Sequence, residues 1–194
     1  MFDYQKLFAP YCREHALPLH LSAVMPVGYQ NANGTFDVSS KTVFINAVRL
    51  NDARNHEKAF FLFHELRHAS QYLCPSLFSD TIRRSLQYII QYDGTCYKQV
   101  NGSYRKCKLD GSEEYFTNLY LGQPHEIDAN VFAYEQTRKL YGDSAELKAL
   151  LDFWMPRQAV PVETYNTVFS QIDESISHEL DESISHELFL EEAT

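Results

Sequence analysis

The chain has 194 residues, of which 44% are hydrophobic and 22% charged. That is enough for one sizeable domain, and it excludes both a wholly disordered chain and, with no run near the roughly 18 apolar residues of a span, a membrane protein. The net charge of −9 is concentrated in residues 173–194, which hold 8 of the 26 acidic residues; residues 1–172 keep 18 acids against 17 bases, so neither part has the positive excess of a nucleic-acid binder.

The first ten residues carry Asp3 and Lys6 and do not read as a signal peptide, so a cytoplasmic protein is the expectation. Residues 3–16 have a helical pattern with Asp3 as N-cap, and Pro10 predicts a kink or two short pieces. Residues 19–24 read as a strand. Residues 29–46 read as a β-meander, with Asn33-Gly34 as a hairpin turn and Ser39-Ser40-Lys41 as a second turn. Residues 51–73 contain no Gly or Pro and predict a helix capped by Asn51 or Asp52 and stopped by Pro75. A further helix is expected over 79–92, ending at Gly94.

Asn101-Gly102 predicts a hairpin in which Cys96 faces Cys107 at a separation compatible with a disulfide. The chain has four cysteines and no CxxC pair, which excludes a zinc ribbon or thioredoxin-type motif, and reduced thiols are the expectation. Lys98, Arg105, Lys106 and Lys108 make this hairpin basic, as suits a solvated edge that discourages aggregation. Pro124 opens a helix ending near Gly142. Asp143-Ser-Ala-Glu146 is a capping box for a helix to about Trp154, and a last helical stretch begins near Val162. The octapeptide DESISHEL occurs twice in succession, at 173–180 and 181–188. Two short copies do not make a solenoid, so they read as a duplication in a solvated helix or disordered tail, and neither His178 nor His186 is expected to bind metal. The domain reading is one body over 1–165, with an insertion at about 76–123, and an acidic segment over 166–194.

The chemistry is concentrated in His64-Glu65-Leu66-Arg67-His68, an HExxH sequence midway along the predicted 51–73 helix. A spacing of four puts both imidazoles on one helix face, within reach of one metal ion. Glu65, about 100° round the helix from His64, faces the ion's water rather than the ion. A catalytic zinc takes three protein ligands and keeps one position open. The extension HExxHxxGxxH fails, since position 71 is Gln71 and position 74 is Cys74. The third ligand must come from His125, Glu126, Glu113, Glu114 or Glu135. Glu126 is preferred: it opens a predicted helix, where the dipole favours a carboxylate, and Ile127, Val131, Tyr134 and Phe132 offer a face to pack on the HExxH helix. Ala129 permits close approach, and Asn130, one turn on, can hydrogen-bond a zinc-bound His.

HExxH followed by E-x-x-A-N-x-F-A resembles the Glu-zincin (gluzincin) group. It is most similar to the small ImmA/IrrE-like metallopeptidases of phages and mobile elements, over roughly residues 19–140. Arg67 stands where that family often has Gly. The resemblance implies an α+β, zincin-like fold: a small antiparallel or mixed N-terminal sheet packed on the HExxH helix, then a glutamate helix, with a mostly helical C-terminal half. It also implies His64, His68 and Glu126 as ligands to one Zn2+ per chain, and Glu65 as general base in the hydrolysis of a protein or peptide substrate. Tyr115 and Tyr120, from the inserted segment, are the candidate donors to the oxyanion. Strand addition along residues 41–46 is the expected mode of peptide binding. The alternative is a non-catalytic, zinc-stabilised interaction or inhibitor module acting through its acidic tail.

Overall fold

The run Phe60-Phe61-Leu62-Phe63 is buried at all four positions, so the helix carrying it is enclosed on more than one side. This is α2 (Asn55–Leu73), the centre of the first of two compact units in the computed structural model, which describes residues 2–191 and their side chains as far as Ser177. The first unit comprises residues 1–83 and 124–155 and the second residues 84–123 and 156–194. The chain is α+β. No described helix is long and apolar enough to cross a membrane.

The first unit begins with α1 (Gln5–Glu14), which runs through Pro10 as one helix; the Asp3 carboxylate accepts from the Gln5 N–H at 3.1 Å. Three short strands follow: β1 (His20–Ser22), β2 (Gly34–Asp37) and β3 (Thr42–Ile45). Their order is β1-β3-β2, with β1 parallel and β2 antiparallel to β3. The sheet is therefore mixed, one of the two expected forms; of the expected 29–46 meander only the β2–β3 hairpin forms, because residues 29–33 are turns and bends. The 41–46 segment is also not an edge: β3 lies in the middle, because β1 and β2 both pair with it. Asn33-Gly34 is not a turn either. Gly34 begins β2 opposite Ile45, and the β2–β3 turn lies at 38–41, where Asp37 accepts from the backbone N–H of Ser39 and Ser40 and Lys41 has φ +51°. Residues 47–53 form turns, so α2 starts after the expected caps, at Arg54.

A short 3-10 turn (Pro75–Leu77) and α3 (Asp80–Ser85) follow α2. The first unit resumes with α5 (Pro124–Tyr141) and α6 (Ala145–Phe153), whose N-cap Ser144 accepts from the Leu147 N–H. α5 packs on α2 only partly by the predicted apolar face: Phe132 and Tyr134 pack against the core, and Phe132 lies under Arg67 of α2. Its buried stripe is His125, Ala129, Ala133 and Thr137, with Asn130 beside it, whereas Val131 is exposed. Small side chains at spacing four let two helix backbones come close, and Val43, Ile45, Phe60, Leu62, Leu66 and Leu147 fill the surrounding core.

In the second unit β4 (Tyr88–Ile90), β5 (Thr95–Val100) and β6 (Ser103–Lys108) form an antiparallel sheet, and α4 (Glu113–Leu121) and α7 (Val162–Glu191) complete it. The helix expected over 79–92 ends at Ser85. The aromatic and β-branched Tyr88-Ile89-Ile90 instead joins β5, and Gly94 serves the intervening turn at φ +80°. Cys96 and Cys107 face each other across β5 and β6 in the expected register, both buried and not joined by a disulfide. α7 buries Tyr165, Val168, Phe169, Ile172 and Ile176 with Tyr88, Ile90 and Phe116. Tyr88 stacks on Phe169 at 4.1 Å and donates to Asp173, which also pairs with Lys98 at 2.7 Å. The inserted segment and the C-terminal helix thus share one core, and the first octapeptide begins inside it rather than in a solvated tail. The second copy lies in the helical run of α7, and the His178 and His186 side chains fall outside the described residues.

Enlarging Ala129 tests the close α2–α5 contact. Ala129→Leu is expected to destabilise the protein by about 1–3 kcal/mol through overpacking, read as a lower urea midpoint; an unchanged midpoint contradicts the packing described.

Candidate metal centre

α2 places His64 and His68 one turn apart on the side that faces α5, and α5 places Glu126 in its own first turn. Their ligand atoms lie within 4.8 Å of one another, the one such group of His, Cys, Asp or Glu among the described residues. The two Nε2 atoms are 3.0 Å apart. Glu126 straddles them, with Oε2 3.5 Å from His64 Nε2 and Oε1 3.5 Å from His68 Nε2. His125 Nε2 is also 3.5 Å from Oε1. Of the other third-ligand candidates, Glu135 is exposed and Glu113 and Glu114 lie in the second unit.

Hydrogen bonding sets which ring nitrogens face the centre. The Asn130 amide donates to the Trp154 carbonyl at 2.8 Å, which leaves its Oδ1 as an acceptor. His64 Nδ1 and Asn130 Oδ1 are both buried without a close partner, and they are complementary as donor and acceptor. His68 Nδ1 is 2.8 Å from Gln71 Oε1. With a proton on each Nδ1, both Nε2 lone pairs point at the same place. Two such lone pairs at 3.0 Å repel unless a proton or a metal ion lies between them. The donor set, two imidazole nitrogens and a carboxylate, suits zinc.

The electrostatics of the metal-free cluster agree with this. Burial, with the His68 charge adding to it, pushes His64 down to about 4. Burial also opposes the charge on His68, but Glu126 outweighs it and raises the ring to about 9. Glu126, despite burial, is held well below the usual carboxylate range by His68, with His125 and His64 assisting. Of the two rings, His68 is thus the one favoured to carry a positive charge and His64 the one held neutral.

Glu65 is buried, 6% exposed, and stands apart from the ligand group. Burial pushes its carboxyl up to about 8, with the charge of His68 pulling the other way. Gly34 on β2 makes room for it: a Cβ there would lie 2.7 Å from Glu65 Cγ and 2.9 Å from Oε1. This glycine serves close approach, not a turn.

Tyr115 and Tyr120 are not part of this cluster. They belong to the second unit, where Tyr115 is exposed with its ring against Phe116 and Tyr120 packs against Tyr92. Residues that sequence reasoning missed are Gly34, Gln71, Arg67 and Asp128. Arg67 donates twice to Asp128, at 2.7 and 2.9 Å, and its guanidinium lies over the Phe78 and Phe132 rings at 4.6 and 4.7 Å. The one signal for Asp128 was an acid two residues after Glu126.

No protein-family model, curated protein or solved structure matches the chain.

These shifts set a pH dependence for the metal-free protein. His68 is raised from 6.5 to about 9, so its contribution is complete below pH 6.5 and is lost as pH rises to 9. Glu65, raised from 4.5 to about 8, loses stability in the same direction; His64, lowered to about 4, costs stability only below 6.5. The urea midpoint measured in chelator is expected to fall between pH 6.5 and 9, and a rising midpoint contradicts this charge arrangement.

Proposed function

We propose that the chain is a zinc-dependent metallopeptidase of the Glu-zincin kind, its first unit zincin-like and similar to ImmA/IrrE-like enzymes. His64, His68 and Glu126 hold one Zn2+, and Glu65 is the general base. The observation that carries this reading is the convergence of two imidazoles and a carboxylate, with a second, separate buried carboxyl on the same helix as the imidazoles. Zinc supplies Lewis acidity there, polarising a peptide carbonyl and lowering the pKa of water to about 7.

Three protein donors leave a position open, as catalytic zinc sites do and four-donor structural sites do not. This favours an enzyme over a zinc-stabilised binding module. So does the packing of Asp173 and Ile176, which withdraws part of the acidic segment from use as a free tail. Glu65, buried and separate from the three donors, is the group that would accept a proton and return it to the leaving amine. β2 is an edge strand that meets Glu65 through Gly34, so an extended protein or peptide substrate added to this sheet runs past the base.

Protein purified without chelator is expected to hold about one zinc per chain by elemental analysis. Glu65→Gln keeps that zinc and loses hydrolysis of an unstructured protein substrate by a factor of roughly 10²–10⁴. Gly34→Ala, whose methyl enters the space of the Glu65 carboxylate, keeps the zinc and also lowers hydrolysis. Absence of zinc overturns the reading, and a fully active Glu65→Gln protein removes Glu65 from it.

A further inference from the structure

Gln71 is fully buried one turn beyond His68, where an uncharged amide has no apolar role to play. Every polar atom of its amide is committed. Nε2 donates to the His125 carbonyl at 2.9 Å and to Asp128 Oδ2 at 2.8 Å. A carbonyl and a carboxylate are acceptors only, so the amide nitrogen must face them and Oε1 must face His68 Nδ1. An acceptor at 2.8 Å places a proton of His68 on Nδ1, so Nε2 is the nitrogen turned toward His64 and Glu126.

The orientation is itself anchored. Asp128 cannot turn away, because its two oxygens take the two donors of Arg67, and Arg67 is held over Phe78 and Phe132. The His125 carbonyl that Gln71 holds belongs to the residue before Glu126. One side chain therefore fixes both the ring of His68 and the backbone turn that presents the carboxylate.

We propose that Gln71, locked by Asp128 and Arg67, is the positioning residue that presents His68 Nε2 to the metal and ties the turn carrying Glu126 to α2. The proposal rests on the reading that His64, His68 and Glu126 bind zinc. It assigns Arg67 a use: the side chain in the place where a glycine is common clamps the network that orients the neighbouring ligand.

The test is zinc affinity by competition with a chromophoric chelator, combined with nitrogen NMR of the histidine side chains in zinc-loaded protein, on the full chain. In the parent, the His68 Nδ1 proton is expected to be visible and slow to exchange. Gln71→Leu and Gln71→Met both lack the amide; Met is the more adaptable shape should Leu prevent folding. Either is expected to weaken zinc about 10–100-fold and to speed exchange of the His68 Nδ1 proton, while the corresponding signal of His64, the ring that Gln71 does not hold, stays unchanged. A general loss of structure would move both histidines alike, so that result, or parental affinity with an unchanged His68 signal, overturns the proposal. If the parent itself takes up no zinc, it is the metal-site reading that fails.

Discussion

The centre of the first unit is a conflict between burial and charge. Four titratable side chains, His64, Glu65, His68 and Glu126, lie between or beside two helices in a place where an isolated charge is strongly disfavoured. Glu126 resolves part of the conflict by facing three imidazoles at once, at 3.5 Å each. The remaining part is resolved by a single positive charge shared at the two facing Nε2 atoms. A proton there would supply it, and in the proposed reading a divalent ion would use both lone pairs and the carboxylate together.

The surrounding fold is arranged to hold that geometry. Ala129 and Ala133 bring α5 close to α2, the Gln71 amide holds the His68 ring from the outer side, and Asn130 is fastened to the Trp154 carbonyl. Arg67 and Asp128 then fasten the two helices next to the site. In the proposed reading the third ligand is the Glu126 carboxylate on α5 rather than a histidine at position 74, and the turn that presents it is bonded to the HExxH helix through Gln71.

Much of this was legible in the sequence, and the parts that were not have physical reasons. Spacing four on a helix determines that His64 and His68 share a face, so those two positions and Glu65 follow from geometry alone. Glu126 could be preferred because a carboxylate suits a helix start. The packing face of α5 was partly misread because the rule that apolar residues point inward fails where the neighbour is a cluster of charged groups. There the buried stripe is small and polar, and Val131 turns outward. Gly34 was misread because Asn-Gly is also a turn signal; only tertiary structure shows the Glu65 carboxylate against it. Residues 79–92 were misread because six helical residues followed by Tyr88-Ile89-Ile90 have no breaker between them, and pairing with β5 overrides local pattern. Gln71 looked like the failure of a longer motif, since its three partners lie on two elements that local spacing cannot bring together.

The central claim is the identity of the three donors, and X-ray absorption at the zinc edge of zinc-loaded protein tests it most directly. The account predicts a first shell of nitrogen and oxygen only, at about 2.0–2.2 Å, with the outer-shell pattern of two imidazoles. A sulfur neighbour near 2.3 Å, or a shell without imidazole scattering, would place the ion elsewhere in the chain and contradict it.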